Sequence, residues 1–207
     1  MVRVKICGIN APDAFDAAAD AGADWIGFVF FDKSPRHITP EHAAALSARR
    51  AGSPKRVGLF VEPSDASIAA ALAAIRLDVL QLYAPAPRVA EIAARFGVPV
   101  WRSIAVATEA DLPAALGAEQ AMVIEPKAPA GATRPGGNAT ALDVSVLAGW
   151  APEFDWLLAG GLRPDNVASA IRATGASAVD VSSGVESAPG AKDPGLIRDF
   201  IAAARAA

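Results

Sequence analysis

The 207-residue sequence predicts an α/β chain folded as a single-domain (β/α)8 TIM barrel over residues 1–207. Two observations carry the prediction. Short β-rich runs alternate with alanine-rich amphipathic stretches eight times from end to end, and strands alternating with helices pair in parallel through right-handed crossovers. The first strand then runs into Cys7-Gly8-Ile9-Asn10, with one glycine. An open doubly wound sheet, the alternative architecture, would more often carry a glycine-rich turn there.

The β-rich runs begin near Val2, Trp25, Arg56, Val79, Val98, Ala121, Asp155 and Ala178. Helical segments lie between and after them, near 11–21, 39–51, 64–75, 86–96, 109–116, 143–149, 165–173 and 194–206. Three helices carry start signals: Thr39 ahead of Pro40, Ser64 before Asp65, and Asp165 before Asn166. Most strand starts lie 23 residues apart, but the second-to-third interval is 31 and the sixth-to-seventh is 34. The extra length falls in Phe31–Ile38 and Pro126–Ala141, loops that open onto the carboxyl face, where barrels bind substrates.

Composition narrows the function. With 53% apolar residues the chain can bury one good core, and a net charge of −3 argues against a nucleic-acid partner. Apolar runs of four to eight residues are too short to span a bilayer, and the first residues read as strand rather than as a secretion signal. A lone cysteine forms no internal disulfide and has no second thiolate with which to share a metal, so no metal is expected and the cytoplasm suits the chain. The pattern specifies no oligomeric state.

Candidate site residues stand where strands end. Cys7 closes the first strand, two residues from Lys5 on the same face. It reads either as a small buried hydrophobe or as a thiol whose proton the neighbouring ammonium helps to remove. Arg36, in the long loop after the second strand, is either solvated or a fork for a carboxylate or phosphate. Its neighbour His37 reads as a surface residue or a group titrating near neutrality. Glu125 ends the apolar sixth strand and is either an exposed carboxylate or a general acid–base group. Gly160 and Gly161 after strand 7, with Ser182, Ser183 and Gly184 after strand 8, suit an anion-binding nest and imply a phosphorylated substrate. Asp180 interrupts strand 8, and because strands 8 and 1 adjoin in a closed barrel, Lys5 is its expected partner. Gln81 interrupts strand 4, to line the pocket or to satisfy the barrel interior.

These residues sit in blocks that resemble the phosphoribosylanthranilate isomerase family. The blocks are Lys5-Ile6-Cys7-Gly8-Ile9, Gly27-Phe28-Val29-Phe30, Lys33-Ser34-Pro35-Arg36, Val57-Gly58-Leu59-Phe60-Val61, Ala159-Gly160-Gly161-Leu162, and Val179-Asp180-Val181-Ser182-Ser183-Gly184-Val185-Glu186 through Lys192-Asp193. The resemblance implies a (β/α)8 barrel of tryptophan biosynthesis that rearranges a small-molecule phosphoribosyl substrate without a cofactor. It also implies Cys7 as general base, Arg36 on the anthranilate carboxylate, and the glycines and serines on the phosphate. Three places depart from the family pattern. Glu125 stands where the family has aspartate, and its extra methylene matters because misplacement by about 1 Å can cost a hundredfold in rate. Gly136-Gly137-Asn138-Ala139 and Leu142-Asp143-Val144 replace the usual loop-6 blocks, and Gln81-Leu82-Tyr83-Ala84 carries tyrosine for histidine. Another phosphosugar isomerase or epimerase, or a non-catalytic phosphate-ligand binding protein, are the competing readings.

Overall fold

A computed structural model describes residues 1–52, 54–138 and 140–207. Eight parallel strands close into a barrel in chain order: β1 (Arg3–Cys7), β2 (Trp25–Val29), β3 (Lys55–Val61), β4 (Val79–Tyr83), β5 (Val100–Val106), β6 (Ala121–Pro126), β7 (Trp156–Leu158) and β8 (Ala178–Val181). Around them lie α1 (Pro12–Asp20), α2 (Pro40–Ser47), α3 (Asp65–Ala74), α4 (Ala86–Phe96), α5 (Val167–Thr174) and α6 (Pro194–Arg205). A hairpin of β9 (Glu186–Ala188) and β10 (Ala191–Lys192) precedes α6. The open doubly wound alternative is thereby excluded. None of the described helices is long and apolar enough to cross a membrane.

The period of two along each strand sorts the side chains. One set packs outward in the large core between sheet and helices, with Ile6, Phe28, Phe60, Leu80 and Ile124 among its members. The other fills the barrel in layers. At its base, Trp25 and Trp101 meet edge to face with ring centroids 5.2 Å apart, among Val57, Val79 and Leu157. Lys5 and Asp180 oppose each other at the register where β1 meets β8. Cys7, Val29 and Leu59 close the interior at the carboxyl end, with Phe31, Val61 and Tyr83 packed on them.

The cap signals hold at two of three positions. Thr39 accepts a hydrogen bond from the His42 N–H, and Ser64 accepts one from that of Ser67. Asp165 does not cap α5. Asn166 stands at that position, and Asp165 pairs instead with Arg163 at 3.2 Å.

Two expected helices are only short 3-10 turns, Glu109–Asp111 and Val144–Leu147. In the first, Pro113 disfavours helical geometry at the residue before it, and Leu112 is extended at ψ 130°. The Asp111 carboxylate also accepts from the N–H groups of Ala107 and Thr108, closing the turn. In the second, β-branched Val144 and Val146 are followed by Gly149 at φ 77°. Strands 5 and 6 thus return through irregular chain, and loop 6 reaches the mouth without a helix behind it.

Candidate active site

A cavity opens at the carboxyl ends of the strands, the face to which the two long loops belong. Cys7, Arg36, Glu125, Gly160, Gly161, Asp180, Ser182 and Ser183 all line it, together with Tyr83 and the loop-6 residues Gly136, Gly137 and Asn138. Ala139, in the same loop block, lies outside the described residues. Two expected site residues do not reach the cavity lining, Gln81 and Gly184. Gln81 is buried in the barrel, where its amide donates to Ser103 Oγ at 3.0 Å. Gly184 serves packing: a Cβ there would fall 1.8 Å from the Leu162 carbonyl oxygen. It lets the loop after β8 lie directly on the loop after β7.

The floor of the site is an ion pair. Lys5 Nζ donates to Asp180 Oδ1 at 2.9 Å, and the Lys5 side chain is fully buried. Burial acts to lower the Lys5 pKa, but the Asp180 carboxylate, helped by Cys7, outweighs it and holds the pKa above the ordinary lysine value. Breaking such a pair from one side leaves a charge without its partner. Lys5→Met is expected to destabilise the fold by about 3–5 kcal/mol, read from denaturant midpoints, whereas Lys5→Met combined with Asp180→Leu recovers most of that loss.

Cys7 differs from its expected state. Proximity of Lys5 suggests an acidic thiol, yet burial pushes the Cys7 pKa above its ordinary value. Lys5 and Lys192 pull it down, Asp180 opposes them, and desolvation is the largest influence. The resting side chain is therefore a thiol.

Glu125 is not an exposed loop carboxylate. The side chain points into the barrel mouth and is 6% exposed. Burial raises its pKa to about 8, against a hydrogen bond from Tyr83 that favours the ionised form. Its Oε1 is buried with no hydrogen-bond partner among the described residues. Glu125 nonetheless belongs to the cavity wall, and a neutral carboxyl there is a candidate proton donor. Tyr83, whose own pKa burial and the adjacent Glu125 drive well up, stays a neutral phenol.

Arg36 is also buried, at 4% exposure. The loop carrying it is fastened to the sheet by a bridge between Val29 and His37, and within the loop the Ser34 hydroxyl accepts from the Arg36 N–H. His37 is a partly exposed residue paired with Asp32 at 3.0 Å. Arg36 itself binds Glu186 through two bonds, Nε to Oε1 at 2.6 Å and Nη2 to Oε2 at 2.9 Å, and Nη1 points to the Gly137 carbonyl at 3.3 Å.

The glycine pair after β7 and the serine pair after β8 stand on neighbouring strands and line one corner of the cavity. Gly160 and Gly161 have φ of 94° and 67°, which L side chains rarely adopt. Asn166 fixes this turn, donating to the Gly161 carbonyl and accepting from the Arg163 N–H. The Ser182 hydroxyl donates to the Cys7 carbonyl at 3.2 Å, tying the corner to the end of β1.

Three residues here were named from the sequence only inside the family-like blocks, without a role of their own. Tyr83, noted there as tyrosine for histidine, shares the inward phase of Gln81 on β4, and that phase points it at the site. Glu186 and Lys192 carry no local signal. They become neighbours only through the hairpin, where Lys192 Nζ sits 2.7 Å from Glu186 Oε1 and 2.8 Å from the Ser182 carbonyl. Burial and the Arg36 charge lower the Lys192 pKa to about 8, against the pull of Glu186.

Known proteins share both the fold and the sequence. Residues 4–203 match the family model for N-(5'-phosphoribosyl)anthranilate isomerase. The isomerase of Acidiphilium cryptum is 56% identical over 207 residues, covering all of both chains. A crystal structure from Jonesia denitrificans is 39% identical with a TM-score of 0.84, covering 99% of this chain and 97% of that one. A phosphoribosyl anthranilate isomerase crystallised with reduced 1-(o-carboxyphenylamino)-1-deoxyribulose 5-phosphate is 34% identical with a TM-score of 0.85 over the full length of both. With the barrel, the loop order and the matching blocks all in agreement, the chain belongs to the N-(5'-phosphoribosyl)anthranilate isomerase family.

Proposed function

We propose that the chain converts N-(5-phosphoribosyl)anthranilate to 1-(2-carboxyphenylamino)-1-deoxyribulose 5-phosphate, a step of tryptophan biosynthesis, with Glu125 as general acid and Cys7 as general base. The observation that carries the reading is one cavity with four kinds of group around it. It presents a neutral carboxyl, a thiol, a guanidinium and a glycine–serine corner.

The chemistry follows from these groups. Glu125 protonates the furanose ring oxygen, the C1–O bond opens, and the anilino nitrogen shares the resulting positive charge as a Schiff base. That charge acidifies the proton on C2. The Cys7 thiolate removes it, and the electron pair left behind forms the C1–C2 double bond of an enolamine. Tautomerisation of the enolamine gives the ketone. No electron leaves or enters, so the rearrangement calls for proton transfers alone and no cofactor. Because the free thiol is held protonated by burial, a cation at the reacting nitrogen helps the thiolate form when it is needed.

At the two ends of the substrate, Arg36 faces the ring carboxylate and the Gly160–Gly161 and Ser182–Ser183 turns receive the phosphate. A small-molecule phosphoribosyl compound is thus the partner proposed, and the lone cysteine supports a cytoplasmic setting. Expression in a tryptophan auxotroph that lacks this isomerase tests the reading. Growth without tryptophan is expected. Absence of growth with well-expressed protein would overturn it.

A further inference from the structure

The block after β8 continues past the serine turn to Glu186 and Lys192, and neither side chain has a part in the proton transfers. Both are nevertheless nearly inaccessible, with side chains 4% and 0% exposed. Glu186 occupies the Nε and Nη2 edge of Arg36 with both carboxylate oxygens. Lys192 binds the same carboxylate and also holds the Ser182 carbonyl and hydroxyl. The hairpin tip braces the Arg36 loop a second time. A Cβ on Gly190 would fall 2.3 Å from the Pro35 carbonyl oxygen, and Asn10 donates to the Gly190 carbonyl at 3.1 Å.

An arginine offers a carboxylate two bidentate edges, one from Nε and one Nη, the other from both Nη atoms. With the first edge taken by Glu186, only the second is free for a ligand, and there the Gly137 carbonyl of loop 6 accepts from Nη1. We propose that Glu186, backed by Lys192, is a positioning residue: it clamps Arg36 by one edge so that the other faces the cavity as the carboxylate subsite. Through Lys192 the same clamp fixes the distance between the carboxylate subsite and the Ser182 corner. The inference rests on Arg36 as the carboxylate ligand and deepens that reading. A ligand carboxylate displaces the Gly137 carbonyl rather than Glu186, which couples occupation of the subsite to loop 6.

The test compares binding of two ligands by calorimetry, so it does not depend on turnover. One is reduced 1-(o-carboxyphenylamino)-1-deoxyribulose 5-phosphate, the other its phenyl counterpart without the carboxylate. Glu186→Gln is expected to weaken the first by about tenfold to a hundredfold, the range for a lost hydrogen bond to a charged group, and to leave the second within threefold. Glu186→Asp, which keeps the carboxylate, restores part of the loss. In an Arg36→Met background Glu186→Gln costs nothing further, because the residue acts through the guanidinium. Glu186→Gln with Lys192→Met removes both buried charges together and gives the same ligand discrimination as Glu186→Gln, should the single variant fold poorly. Equal weakening of both ligands, or an undiminished effect without Arg36, overturns the proposal. If the wild-type protein does not distinguish the two ligands, the carboxylate role of Arg36 fails, and the clamp with it.

Discussion

Cys7→Ala lowers kcat by about 10³-fold, with KM within a few-fold, because the proton on C2 is removed only in the transition state. Cys7→Ser is the sharper form of the experiment. Serine keeps the size and position of the side chain but is a far weaker acid than a thiol, so a base at this position loses as much activity as in the alanine variant. A packing role predicts the reverse, since Cys7 is buried among Val29 and Leu59 and serine would nearly fill the same space. Thermal unfolding separates the two. Both variants are expected to stay folded, because the Lys5–Asp180 pair beneath the thiol is untouched. Activity in Cys7→Ser within tenfold of wild type would show that another group takes the proton.

Glu125→Gln has two large effects of opposite sign. Turnover falls by about 10²- to 10³-fold, since an amide cannot protonate the ring oxygen. Stability rises, and the rise depends on pH. The folded carboxyl keeps its proton up to about pH 8, whereas in the unfolded chain it is lost near the ordinary value of 4.5. Between those limits the folded state binds more protons than the unfolded one, so stability falls as pH rises, by about 1.4 kcal/mol per pH unit when the group is fully engaged. Glutamine has the shape of the neutral acid and no charge to desolvate. The variant therefore gains little at pH 5 and most at pH 8 and above, and the difference in Tm against pH measures it. A difference that does not change between pH 5 and pH 8 would mean that Glu125 is ionised in the folded protein.

The fold was legible because a barrel repeats one local pattern, and its closure is readable too. Lys5 and Asp180 are far apart in the chain, but the adjacency of the first and last strands predicts their pairing, and the 2.9 Å contact bears it out. The weaker helices were not legible from periodicity. Pro113 and Gly149 interrupt segments whose apolar spacing is otherwise helical, and turn chemistry overrides the pattern. At the site, the strand-end positions of Cys7 and Glu125 follow from alternation, but their protonation does not. Lys5 beside Cys7 suggests a thiolate, and only the depth of burial reverses the sign. The depth of Glu125, likewise invisible in sequence, converts a strand-end carboxylate into an acid with a pKa near 8. Arg36 reads in sequence as either a solvated residue or a carboxylate fork, and its burial against Glu186, 150 positions away, excludes the solvated reading.

In the proposed reaction Glu125 gives up a proton that it holds until about pH 8 beforehand. The measurement that tests it most directly is kcat/KM against pH for wild type and Glu125→Gln, since that ratio reports the ionisations of the free enzyme. With the thiol raised above its ordinary value and Glu125 near 8, the wild-type profile is expected to inflect near pH 8. The residual activity of Glu125→Gln is expected to lose the fall in rate that ionisation of Glu125 causes and to keep only what the thiol and Lys192, itself near 8, contribute. A Glu125→Gln profile with the same shape as the wild-type one, or a wild-type profile with no inflection near pH 8, would rule out Glu125 as the acid.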